Sequence, residues 1–71
     1  MDIRQLRQFL AVVDTGSFTK AAEAMLVAQP SLSQTIKGLE RELGVSLFHR
    51  IGRTVRLSEA GREFEGPARL A

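Results

Sequence analysis

Three residues, Leu26 to Ala28, are all that separates two stretches of helical periodicity, "FTKAAEAM" at 18–25 and "QPSLSQTIKGLEREL" at 29–43. The first carries its apolar side chains at Phe18, Ala21, Ala22 and Met25, the second at Leu32, Ile36, Leu39 and Leu43. Both patterns are those of helices packed on one side. Two helices joined by so short a turn must cross sharply, which is helix-turn-helix geometry. The alanines of the first helix let a neighbour approach closely. Pro30 is preorganised for the first turn of the second and sacrifices no hydrogen bond there.

The flanking segments complete a small domain. From Asp2 to Val13 the apolar residues Ile3, Leu6, Phe9, Leu10 and Val13 repeat at helical spacing. Asp14-Thr15-Gly16 ends that helix, because Gly16 accepts the left-handed conformation that follows a helix. Ser17 then serves as N-cap for the next. Beyond Gly44, "VSLFHR" and "TVRL" flank Ile51-Gly52-Arg53, and Thr54 and Arg56 alternate with Val55 and Leu57, the period of a half-buried strand. A two-stranded hairpin is predicted here, and Ser58 is predicted to cap a fourth helix beginning "EAGREFE". The expected fold is mainly α with a small β-hairpin: a three-helix core, a hairpin, and the start of a further helix.

Length and composition narrow the function classes. At 71 residues the chain suffices for one small domain, and a domain of that size buries only about 60% of its unfolded surface. It has no cysteine and one histidine, His49, so disulfides and thiolate metal sites are excluded and no second imidazole is present to share a metal. The residues offer no acid, base and nucleophile constellation of the kind catalysis needs, so neither an enzyme nor a cofactor is expected. The longest apolar runs, Phe9 to Val13 and Ala24 to Ala28, are far too short to span a bilayer. Lack of cysteine is compatible with a reducing compartment. Net charge is only +2, but Arg50, Arg53 and Arg56 follow one another with no acid among them, the one local asymmetry of charge worth following.

The polar side of the 29–43 helix carries the functional argument. At about 100° per residue, Pro30, Ser33, Gln34, Lys37 and Arg41 fall in a sector well over a right angle from the leucine ladder, with Gln29 between the two at the leading tip. Glu and Lys would make a better solvated face than Ser does. Short or amide-bearing side chains near the N-terminus instead suit entry into a DNA major groove. There Gln pairs with adenine, Ser reaches either kind of base edge, and small groups meet a thymine methyl. Lys37 and Arg41, further along, are placed for the phosphates beside the helix. The arginines of the hairpin would then lie along the backbone or in the adjacent minor groove. Taken alone, a Ser/Gln face is more often simply solvated, and an arginine run more often a wet loop than a wing; docking of another protein also fits the face. The order of elements favours DNA, and salt dependence separates the two partners, because binding to duplex DNA releases counterions.

These residues match a known pattern. "LRQFLAVVDTGSFTKAAEAM", "QPSLSQTIKGLERELGVSLFHR" and "VRLSEAG" resemble, in one register from Met1 to about Arg69, the N-terminal domain of the LysR-type transcriptional regulators of bacteria. The resemblance implies a winged helix-turn-helix over 1–57 and, over 58–71, the first part of a dimerisation linker helix. It implies a cytoplasmic, nucleoid-associated regulator that binds double-stranded promoter DNA as a homodimer, or as a tetramer at full length. A small-molecule effector would bind a C-terminal domain that this chain lacks. By position, Gln29, Pro30, Ser33 and Gln34 match base contacts of the family, and Arg53 matches its wing contact. Ser17, Thr19, Ser31, Lys37 and Arg50 match positions that touch phosphates. Three departures stand out. Ala28 replaces the usual Ser or Thr cap, Gln34 replaces a frequent Arg, and Glu65-Gly66-Pro67 interrupts a normally more helical stretch, where a kink rather than a stop is expected.

Overall fold

The computed structural model describes residues 1–52 and 54–71. In chain order the elements are α1 (Ile3–Thr15), α2 (Phe18–Met25), α3 (Gln29–Leu43), β1 (Phe48–Ile51), β2 (Thr54–Leu57) and α4 (Glu59–Leu70). The strands form one antiparallel hairpin in which Phe48 faces Leu57 and Arg50 faces Val55.

Local chemistry explains most boundaries. Asp2 and Gln5 form a reciprocal capping box at the start of α1, satisfying two N–H groups that a helix start otherwise leaves open. The helix runs two residues past Val13. The Thr15 hydroxyl donates back to the Ala11 carbonyl at 2.7 Å, and Gly16, at φ +67°, closes the end. Ser17 Oγ then accepts the Lys20 N–H and opens α2. Gly44, at φ +72°, ends α3 as expected. Leu26 is the exception, since it takes a left-handed φ of +58° to end α2 with its side chain 92% exposed. A leucine pays about 1–2 kcal/mol for that conformation, and the tight crossing of α2 and α3 requires it.

The core lies where the three helices meet the hairpin. Phe9, Val12, Ala21, Leu32, Leu39 and Leu47 are completely covered, each large side chain contributing roughly 1.5–3 kcal/mol by leaving water. Phe9 is the hub: its ring centroid lies 5.4 Å from that of Phe48 and 5.2 Å from that of Phe64, so one residue of α1 holds both the hairpin and α4. The α3–β1 connection is fixed by Glu40, whose carboxylate accepts the Leu47 N–H at 2.7 Å. Ser58 joins that connection to α4. Its N–H donates to the Leu47 carbonyl, its hydroxyl donates to the Ser46 carbonyl, and its oxygen accepts the Gly61 N–H. Gly61 lies so close to Leu47 that a Cβ there would overlap the Leu47 carbonyl oxygen. The helix does not stop at Glu65-Gly66-Pro67 but continues to Leu70, with Pro67 inside it and Ala68 buried beneath.

Candidate nucleic-acid interface

The exposed side of α3 begins at an open helix end. Ala28, at φ −71° and ψ 142°, holds the N-cap position without a side-chain hydrogen bond, so the first N–H groups of α3 have no cap, and Pro30 removes only one of them. Gln29 does not fill the gap. Its amide nitrogen instead donates to Ser33 Oγ at 2.9 Å, one turn along the helix. Pro30, Ser31, Gln34, Lys37 and Arg41 are exposed, whereas Gln29 and Ser33 are half-buried. The Ser31 carbonyl accepts from Thr35 Oγ1. Pro30, Gln34, Lys37 and Arg41 thus occupy the exposed side of the helix, away from the buried Leu32, Ile36 and Leu39, while Gln29 and Ser33 lie at its edge.

Beside this row runs a cleft of about 400 Å³, walled by Ser33, Ile36, Lys37 and Glu40 of α3, Phe18 of α2, Ser46, and Phe48 and Arg50 of β1. The guanidinium carbon of Arg50 stands 4.2 Å from the centroid of the Phe18 ring, a cation–π distance. Phe18 in turn packs edge-on against Phe48 at 5.8 Å. The cationic wall of the cleft is therefore seated on the aromatic core. Ser17 and Thr19 flank Phe18 at the start of α2. Ser17 is half-buried, with its oxygen engaged as the cap, and Thr19 is exposed.

Arg50 and Arg56, which the sequence sets along the DNA backbone or in the adjacent minor groove, stand on opposite faces of the hairpin. The register pairs Arg50 with Val55 and His49 with Arg56, and successive side chains of a strand point to opposite faces. Arg50 therefore shares the inner face with Phe48, Val55 and Leu57, while Arg56 lies on the outer face beside His49. The signal was present in the sequence, since Arg50 has the parity of Phe48 and Arg56 has that of Thr54. Arg53 lies outside the described residues. Sequence reasoning also missed Phe18 as the seat of Arg50 and Glu40 as the anchor of the connection, neither of which follows from the pattern of its own helix.

The charges of this face are uncompensated. Among the described residues, Lys37, Arg41 and Arg50 have no carboxylate within ion-pair distance; the ion pairs formed are those of the Met1 ammonium with Glu42 and of Arg69 with Asp14 and Glu65. The hydrogen bonds from the Met1 ammonium and then Gln5 hold the Glu42 carboxyl below its ordinary range. Those to Asp14 and then Glu65 raise Arg69 further. The described residues hold no cluster of His, Asp and Glu fit for a metal, and no helix among them is long and apolar enough to cross a membrane.

A short sharp-crossing helix pair, an uncapped and neutral helix tip, and a hairpin beside it agree with the family match. Residues 3–62 match the family described as bacterial regulatory helix-turn-helix protein, lysR family. The chain belongs to the LysR family. It is 52% identical over 62 residues to an uncharacterized regulator encoded in the ibpB-leuC intergenic region of Azotobacter vinelandii, covering 87% of this chain and 43% of that protein. To the regulator BudR of Klebsiella aerogenes it is 52% identical over 64 residues, covering 90% of this chain and 45% of BudR. This LysR-family chain thus spans less than half the length of these curated relatives. Its fold superimposes on the CbnR DNA-binding domain in complex with DNA with a TM-score of 0.94 at 38% identity, covering 99% of this chain and 80% of that one. For the BenM DNA-binding domain bound to benA site 1 DNA the TM-score is 0.93 at 46% identity, covering 99% and 81%. These are winged-helix LysR domains, so the hairpin here is a wing.

Proposed function

We propose that this domain binds double-stranded promoter DNA sequence-specifically, with α3 in the major groove and the wing against the backbone or the adjacent minor groove. The observation that carries the reading is the exposed side of α3: an uncapped N-terminus, neutral hydrogen-bonding side chains at the tip, and unpaired cations further along. A helix tip of that kind accepts a phosphate at its free N–H groups and lets short side chains reach base edges. The CbnR and BenM domains, which share this fold, are found in complex with DNA, which supports DNA as the partner. In this reading Gln29, Pro30, Ser33 and Gln34 meet bases, and Arg53 is the wing contact. Ser17, Thr19, Ser31, Lys37 and Arg50 meet phosphates.

Residues 58–71 begin a linker helix through which two copies pair. The 90% exposure of Leu70 at its end supports this. A homodimer of this kind, or a tetramer at full length, presents two recognition helices to paired half-sites. In this reading the full-length regulator works in the bacterial cytoplasm on the nucleoid, and an effector acts through a further domain. Binding-site selection on random duplexes tests base reading. Gln29→Ala is expected to cost about 1–3 kcal/mol on the selected site and much less on random DNA. Equal losses on both would reassign Gln29 to a structural role.

A further inference from the structure

The bond from the Gln29 amide to Ser33 Oγ, 2.9 Å across one helical turn, changes what each side chain is able to do. A glutamine at a helix tip ordinarily samples many rotamers and both orientations of its amide. Here one of the two N–H groups is held by Ser33, and an adenine-reading geometry requires it to be the one directed away from Oε1. That leaves Oε1 and the second N–H side by side as an acceptor–donor edge. Such an edge complements the N6 and N7 positions of adenine. An amide turned over would offer the same two groups in reverse order. Ser33 is itself half-buried against the wall of the cleft shared with Ile36 and Phe18, so its hydroxyl is a steadier partner than the exposed Ser31 or Gln34 would be.

We propose that Ser33 is a positioning residue: its hydroxyl sets the direction of the Gln29 amide, and discrimination at the base pair facing Gln29 depends on Ser33 without Ser33 touching that pair. The proposal rests on the DNA-binding reading above and deepens it. It replaces two independent base readers by one coupled unit, Gln29 held by Ser33.

The test compares five versions of the chain (wild type, Gln29→Ala, Ser33→Ala, Ser33→Thr and the Gln29→Ala/Ser33→Ala double variant) on a selected duplex and on its single-base-pair variants. The pair facing Gln29 is the one whose preference Gln29→Ala abolishes. At that pair Ser33→Ala is expected to reduce discrimination roughly three- to tenfold, the worth of one hydrogen bond, while Ser33→Thr retains it. Adding Ser33→Ala to Gln29→Ala changes nothing more. In Ser33→Ala the loss of discrimination at that pair exceeds both the loss of affinity for random duplex and the change in stability of the free domain, which separates positioning from a folding role. Loss of preference at a different base pair, or an undiminished Ser33→Ala effect in the Gln29→Ala background, overturns the proposal and makes Ser33 a reader in its own right. If Gln29→Ala abolishes preference at no base pair, base reading by Gln29 is itself wrong and the proposal falls with it.

Discussion

Where α4 meets α1 and the α3–β1 connection, one cation and two close contacts are answered. Arg69 meets Asp14 at 2.7 Å and Glu65 at 2.9 Å, Phe64 stacks against Phe9, and Gly61 lies against the Leu47 backbone. Across the molecule, α3 and β1 leave comparable groups unanswered. The helix start has no cap, and Lys37, Arg41 and Arg50 have no carboxylate partner among the described residues. Both faces belong to one small core, so the difference is one of use. Where a group serves stability its partner is built in; where it serves a ligand the partner is left for the ligand to supply. Stability given up at the tip of α3 is available as binding energy for a phosphate.

The contrast is broken most severely at the closed side. Gly61→Ala places a Cβ into the Leu47 carbonyl and within 2.8 Å of a Leu57 methyl, where backbone cannot yield as a flexible side chain does. A loss of roughly 2–4 kcal/mol in urea unfolding is expected. A change below that range would mean that α4 rides on the core more loosely than its hydrogen bonds to Ser58 imply.

The open side is sharpened by closing it. Ala28→Ser supplies the missing N-cap and is expected to stabilise the free domain by about 0.5–2 kcal/mol. Its gain in DNA affinity should be smaller, because a bound phosphate already meets part of the same need. Unfolding with and without duplex DNA measures both. No gain in the free protein would show that the helix end is already satisfied, and the phosphate seat would have to be abandoned.

Leu26 offers a smaller effect. Its side chain is 92% exposed and its φ is +58°, so Leu26→Gly relieves strain and loses almost no packing. Against the added freedom of the unfolded chain, a net gain of about 0.5–1 kcal/mol in thermal or urea unfolding is expected. A loss instead would mean that the leucine packs on something in the free domain.

How much of this was legible in the sequence depends on how local the cause is. Ser17, Ser58, Gly16 and Gly44 act within a few residues of themselves, and their roles could be read directly. So could the buried ladder of α3, because helical period alone decides which residues share a side. The inward turn of Arg50 is less local. It needs the pairing of β1 with β2, which brings Arg50 to the face of Phe48 and Val55. The tight seat of Gly61 needs α4 packed on a connection fourteen residues earlier in the chain, and nothing in "SEAGRE" announces which backbone it will meet. The bond between Gln29 and Ser33 joins residues whose spacing was visible, but the direction of an amide is decided only by its surroundings.

The central claim, that the unpaired cations Lys37 and Arg41 of α3 await phosphates while the paired Arg69 of α4 does not, is tested most directly by the salt dependence of duplex binding in wild type, Lys37→Ala and Arg69→Ala. Each phosphate neutralised contributes about −0.9 to the slope of log affinity against log salt. The account predicts a steep slope for wild type, a slope shallower by about 0.9 for Lys37→Ala, and the wild-type slope for Arg69→Ala. A flat wild-type slope, or equal loss of slope in both variants, would contradict it.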